Sequence, residues 1–266
     1  MGPYRPGPVA VLLALLAGLF LLAPMLAVIP MSFTPFRYLK MPEGELSLRH
    51  YQTIWENADW HASIWLSVRV AFVASTIATV LATAFSLGIW YVQPRLKALL
   101  IGFVMLPMIV PPVVSAVILY FFMSWLARAA PAIGYDTFWG VVISHVVMIV
   151  PFAVVVVMVA LSQIDRRIEM AARGMGASIW QASAWVILPN IRFGLIGAFV
   201  MAFVLSWEEI AVTLFITSIN AITLPRRIWM GLRDNVDPAV AAISVILIVI
   251  TLIVVVSRIV WRETRK

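Results

Sequence analysis

The sequence predicts an all-α membrane protein with six transmembrane helices, and three observations carry that prediction. Of its 266 residues, 63% are hydrophobic and the mean hydropathy is +1.02, far above a soluble domain's apolar share. Six apolar stretches reach the roughly 20 residues that a helix needs to cross a hydrocarbon core. The charged residues, 12% of the chain, gather almost entirely between those stretches.

The first stretch, 9–33, follows Arg5 as a signal peptide would, but its run far exceeds the roughly 7–15 residues of a signal h-region. It reads as a retained helix. Residues 34–60 form a polar and aromatic outer segment, where Trp55, Trp60 and nearby Trp65 suit the headgroup level as anchors. The second stretch is 64–92. The third, 99–125, carries Pro107, Pro111 and Pro112, which imply a broken or kinked helix whose unmade backbone bonds are met by neighbours or a water-lined cavity. The fourth, 138–161, holds His145, read as an interhelical hydrogen-bonding residue.

Segment 162–192 mixes charge with Ala, Gly, Trp and Met, which reads as short helices at the membrane surface. The fifth stretch, 193–216, contains adjacent Glu208 and Glu209. Charge inside a span costs at least about 2.5 kcal/mol, so it faces a cavity or a partner. On a helix the two acids point about 100° apart, so one lines a pathway while the other pairs within the fold or at an interface. Arg69 is a candidate partner or snorkels. The sixth stretch is 240–260. No internal repeat suggests two fused halves. The expected division is 1–62, a helix with the outer segment; 63–261, the transmembrane domain containing 162–192; and 262–266, a tail.

Orientation follows from Lys and Arg, which stay on the cytoplasmic side. With the N-terminus inside, the inner segments hold Arg5, Arg95, Lys97, Arg166, Arg167, Arg173, Arg192, Arg258, Arg262, Arg265 and Lys266 against Asp165, Glu169 and Glu263. Outside, Arg37, Lys40, Arg49, Arg128, Arg226, Arg227 and Arg233 are balanced by Glu43, Glu45, Glu56, Asp59, Asp136, Asp234 and Asp237. Both termini are therefore expected in the cytoplasm.

Several chemistries are excluded or disfavoured. The net charge of +7 on so apolar a chain reads as membrane-flanking charge, not as a nucleic-acid surface. There is no cysteine, so there is neither disulfide nor thiolate chemistry. None of Lys40, Lys97 and Lys266 stands in a Gly-Lys-Ser/Thr phosphate loop, and His50, His61 and His145 lack metal-ligand spacing. With no nucleophile elbow either, the chain is expected to be no enzyme and to need no cofactor.

One inner segment carries a motif: Glu169-Met170-Ala171-Ala172-Arg173-Gly174-Met175-Gly176-Ala177-Ser178, then Trp180 and Leu188-Pro189. The alanines allow close helix approach, Gly176 can adopt the positive φ of a sharp turn, and Pro189 favours a break before the next span. This segment resembles the "EAA" loop of bacterial ABC importer permeases. The resemblance implies a type I ABC importer permease fold, with Glu169, Ala171, Ala172, Arg173, Gly176 and Ala177 coupling to an ATPase. It further implies the bacterial cytoplasmic membrane, two cytoplasmic ATPase subunits, a second permease (heterodimer favoured over homodimer), a periplasmic or lipid-anchored solute-binding protein, and contact with membrane lipid. In the family the acid directly precedes the two alanines, whereas here Met170 stands there and Glu169 one position earlier.

The stretch from Ser206 to Ser244, with Glu208 and Glu209, is similar to permeases of the polyamine and opine branch. That implies a small cationic or zwitterionic solute and a pathway involving Ser206, Glu208, Glu209 and Pro111. The branch places an acid after a proline in the third span, where Pro112 follows Pro111 here. An alternative class is an ion-coupled secondary transporter with Glu208, Glu209 and His145 relaying protons. A third is a membrane enzyme or scaffold.

Overall fold

A computed structural model describes residues 7–234 and 236–264. Arg5, Arg265 and Lys266, counted above as inner charges, lie outside the described residues, as do the side chains of Asp234 and Arg262. Every regular element among the described residues is helical. In order it runs α1 (Pro8–Met31), α2 (Arg49–Glu56), α3 (Ala58–Val92), α4 (Lys97–Ile109), α5 (Pro112–Ala129) and α6 (Phe138–Ser162). Short helices α7 (Arg166–Gly174) and α8 (Ile179–Ala182) follow, then a π turn (Ser183–Ile187) and α9 (Leu188–Asn190). The chain ends with α10 (Arg192–Glu208), α11 (Ala211–Ile216), α12 (Leu224–Asp234) and α13 (Ala239–Glu263).

Two of the six expected spans are not single helices. The third is α4 and α5, separated at Val110 and Pro111, where Val110 is extended with ψ of 135°. Pro111 forces this, because a residue before proline is driven out of the helical region, and neither Pro111 nor Pro112 has an N–H to continue the ladder. The fifth ends as α10 at Glu208, and Glu209 is extended with ψ of 111° before six-residue α11 begins. The reading of both acids on one continuous helix is thereby corrected. Upstream, the chain bends by 74° between Ile179–Asn190 and Arg192–Glu208, two residues beyond Pro189.

The described residues of 1–61 and 228–266 form one compact unit and residues 62–227 another. In the first, α1 is apolar all round and buries no residue against the chain, as a helix solvated by lipid does. Helix α2 is amphipathic instead, burying His50 and Ile54, with His50 Nε2 at 2.9 Å from the Phe36 carbonyl. Ser32 Oγ and Tyr51 Oη share a 2.7 Å hydrogen bond, and the first turn of α13, Ala239–Ile243, is buried. Trp55 and Trp65 are exposed, as interface anchors should be, but Trp60 is buried and is a packing residue.

The second unit is built on small residues. Ala74, Ala78 and Ala82 recur every fourth position on α3 and are fully buried, as are Ala198 and Ala202 on α10. In lipid, helices gain little from burying apolar surface as such, so close backbone approach through small residues supplies the van der Waals contact. Helix α6 is the centre, buried along its length from Gly140 to Leu161 and packed by α4, α10 and α11. Gly194 of α10 shows the tightest crossing, since a Cβ there would lie 2.3 Å from Ala160 Cβ on α6.

Candidate functional site

The segment between α6 and α10 folds into a knob whose local geometry follows from its sequence. Asp165 caps α7, its Oδ1 accepting from Arg167 N at 2.9 Å. The helix ends in a Schellman turn: Ala177 N donates to the Ala172 carbonyl at 3.2 Å, and Gly176 N to that of Arg173 at 2.9 Å. Gly176 sits at φ +94°, the conformation expected of it. Ser178 then opens α8 with a capping box, its Oγ accepting from Gln181 N while its own N–H donates to Gln181 Oε1 at 2.8 Å.

Burial divides the motif residues. Ala172 is buried, Ala177 half-buried, and Ala171, Arg173 and Gly176 exposed. Glu169 is only 8% exposed and is paired 3.3 Å from Arg173 Nη1, whereas Met170, in the family's acidic position, faces out. The one-residue displacement therefore turns the acid into the chain. Met170, Met175 and Trp180 form the knob's exposed apolar surface, Met175 and Trp180 each 84% exposed. Inward, Ser183 Oγ donates to Tyr91 Oη on α3 at 2.9 Å.

A buried polar chain occupies the break after α10. His145 Nδ1 lies 2.8 Å from Ser206 Oγ, and its Nε2 3.3 Å from Thr213 Oγ1. Thr213 spends its only proton on the Glu209 carbonyl at 2.9 Å, so it accepts from Nε2–H. Both ring nitrogens are engaged. The expectation of a satisfied interhelical histidine agrees with this geometry. Arg226 Nη1 continues the chain, donating to the Thr213 carbonyl at 3.2 Å and to the carbonyl and hydroxyl of Thr217.

The two glutamates diverge. Glu209 Oε1 accepts from Val212 N at 2.9 Å and so caps α11, while Glu208, at the end of α10, is exposed. Arg69 pairs with neither, holding the Trp65 carbonyl at 3.4 Å and lying 5.9 Å over the Phe138 ring. Ser206 is buried on His145, and Pro111 is exposed at the α4–α5 break.

Sequence reasoning missed Asp136, counted above only as an outer charge. Its carboxylate accepts the N–H groups of Ser218 (2.7 Å), Ile219 (3.1 Å), Asn220 (3.1 Å) and Ala221 (3.2 Å), and its own N–H donates to the Ile216 carbonyl. Partial burial pushes its pKa up, but the four amides together outweigh that and hold it below the ordinary carboxylate value. Its φ of 58° is a left-handed conformation that Asp tolerates better than most residues. The sequence held no local signal of this clasp.

Residues 81–262 match the protein family described as binding-protein-dependent transport system inner membrane component. The chain is 27% identical over 245 residues to the spermidine/putrescine transport system permease protein PotC of Haemophilus influenzae, covering 92% of this chain and 93% of that one. It is also 27% identical over 250 residues to the putrescine transport system permease protein PotI of Escherichia coli, covering 92% and 88% respectively. Among solved structures it superposes with a TM-score of 0.70 on a chain of a bacterial ABC transporter involved in the import of the acidic polysaccharide alginate. That match covers 97% of this chain and 98% of the other at 14% identity, a likeness of fold alone.

Proposed function

The chain belongs to the family of binding-protein-dependent transport system inner membrane components, the permease subunits of ABC importers, and from that premise we propose that its solute is a polyamine or a related small cation. Members of this family are transport subunits of the inner membrane, not enzymes, and work with ATPase and substrate-binding partners. The observation that carries the solute reading is the likeness to spermidine and putrescine permeases over more than nine-tenths of the chain. The ion-coupled alternative gains nothing from it.

Chemistry agrees with a cation. Glu209 is committed to capping α11, which leaves Glu208 as the carboxylate available to an ammonium group. An exposed acid at the end of a membrane helix is too costly to face hydrocarbon, so Glu208 turns to a water-lined pathway or to the second permease. The pairing is with a distinct permease, the two ATPases sit in the cytoplasm with both termini, and the binding protein docks on the opposite face. Ala171, Arg173, Met175 and Trp180 present the knob to the ATPase, while Ala172, Gly176 and Ala177 fix its turn. Because capping box, π turn and α10 follow without a flexible linker, displacement of the knob is passed to the break at Glu209.

The test is spermidine-stimulated ATP turnover in proteoliposomes holding the assembled transporter. Glu208→Gln is expected to raise the half-saturating spermidine concentration at least tenfold, since a charge-assisted hydrogen bond is worth about 1.5–3 kcal/mol. Glu209→Gln, which keeps an oxygen for Val212 N, is expected to stay near the parent. Equal effects of the two substitutions would defeat the assignment.

A further inference from the structure

The second unit holds a cavity of about 240 Å³ between the end of α3, the start of α4 and the end of α6, on the side of the knob. Its mouth is cationic, lined by Lys97 and Arg166. Arg166 is aimed by its surroundings: Nη2 donates to the Trp90 carbonyl at 2.9 Å, the guanidinium lies 5.1 Å over the Trp90 ring, and the Gln93 amide oxygen accepts from it. Helix α4 starts at Lys97 with no side-chain cap on its first turn, which adds the partial positive charge of a helix N-terminus. No carboxylate lines the cavity among the described residues; nearby Asp165 is spent on capping α7.

The deeper part differs in kind. Ser86 lies on α3 seven residues before Gln93, about 10 Å further along the helix, and is only 1% exposed. Ser86 lines the cavity, and its buried hydroxyl has no hydrogen-bond partner, an unmet donor that a ligand entering the cavity can satisfy. The remaining wall is apolar at Ile89, Met158 and Leu161, and Ser162 beside them spends its hydroxyl proton on the Val159 carbonyl at 2.7 Å. From the mouth inward the lining therefore passes from two cations to one buried, unmet hydroxyl, with apolar side chains along the wall between them.

We infer that this cavity binds the phosphate headgroup of an anionic phospholipid. Lys97 and Arg166 hold the phosphodiester, Ser86 Oγ donates to an ester oxygen of the glycerol, and an acyl chain lies along Met158 and Leu161. A basic pocket between membrane helices at the cytoplasmic surface suits such a headgroup. Inorganic phosphate shares the chemistry of the mouth but would leave both the hydroxyl and the apolar wall unused.

The full chain, purified in mild detergent, is titrated with phosphatidylglycerol or phosphatidylcholine and the bound lipid counted by native mass spectrometry. One phosphatidylglycerol is expected to bind in preference to phosphatidylcholine and to persist in millimolar inorganic phosphate. K97Q/R166Q is expected to weaken that lipid about thirtyfold, at roughly 1 kcal/mol per basic residue. Lys97→Gln alone, at an exposed position, is expected to weaken it about fivefold on the same scale, which guards against a misfolded double variant. Ser86→Val, which fills the floor, is expected to weaken lipid binding without changing charge. R192Q/R258Q, an equal loss of charge away from the cavity lining, is expected to bind as the parent does. Equal binding of both lipids, parental binding by K97Q/R166Q, or displacement by inorganic phosphate would each overturn the proposal.

Discussion

Gly176 offers the sharpest test of how the knob works. A Cβ added there meets no atom of this chain within 4 Å, so within the chain the cost of replacing the glycine falls first on the backbone. At φ +94° that perturbation is substantial, roughly 1–2 kcal/mol for a residue with a side chain. The Schellman turn it would strain is closed by two backbone hydrogen bonds, to the carbonyls of Ala172 and Arg173, each worth about 1 kcal/mol net. Strain and closure are thus of equal size, and the formed turn is expected to lose population by a factor of roughly 5–30. Gly176→Val should cut solute-stimulated ATP turnover of the reconstituted transporter by several-fold, while melting in detergent stays close to that of the parent. Gly176→Asn should fall between, because Asn tolerates positive φ. Full stimulation in Gly176→Val would refute the claim that this turn transmits force.

Two further outcomes are expected. Asp136→Asn should weaken the tie to residues 218–221 and lower the melting temperature by an amount equivalent to about 1–2 kcal/mol, discounted for partial exposure. Because its folded pKa is depressed, the wild-type contribution is complete above the ordinary carboxylate value near 3.9 and is lost as pH falls through the lower folded value. Melting of parent and variant, compared by circular dichroism, should therefore converge only in strong acid; convergence near neutrality would contradict it. Gly194→Ala should cost about 1–3 kcal/mol, since its Cβ would stand 2.3 Å from Ala160 Cβ, and G194A/A160G should recover most of the loss. Additive thermal shifts in that double-mutant cycle would remove the argument for a tight α6–α10 crossing.

How much of this was legible depended on distance along the chain. The spans could be read because a run of about 20 apolar residues is a local property, and the break at Val110 because Pro111 and Pro112 announce it. The knob's turn was legible too, since Gly176 and the Ser178–Gln181 pair act within a few residues of themselves. The break at Glu209 was not, as no proline or glycine marks it. His145, Ser206 and Thr213 were beyond reach as a set because they are 61 and 68 residues apart and meet only when α6, α10 and α11 pack. The Asp136 clasp spans 82 residues or more for the same reason. Trp60 was misread because composition gives a tryptophan's preference for the interface but not the neighbours that cover it.

The break after α10 also bears on mechanism. An interrupted membrane helix leaves carbonyls that the bilayer cannot hydrate, so they must be satisfied within the protein. Here the Glu209 carbonyl takes the Thr213 hydroxyl, the Thr213 carbonyl takes Arg226 and the Thr217 hydroxyl, and the Glu209 carboxylate takes the Val212 N–H. Ser206 and Thr213 then engage both nitrogens of His145, and neither nitrogen hydrogen-bonds a glutamate side chain among the described residues. Two of the three polar groups that suggest ion coupling when read along the sequence, His145 and Glu209, are hydrogen-bonded at the break. Of the pair at 208 and 209, Glu209 is held by the first turn of α11, while Glu208 stands exposed at the end of α10.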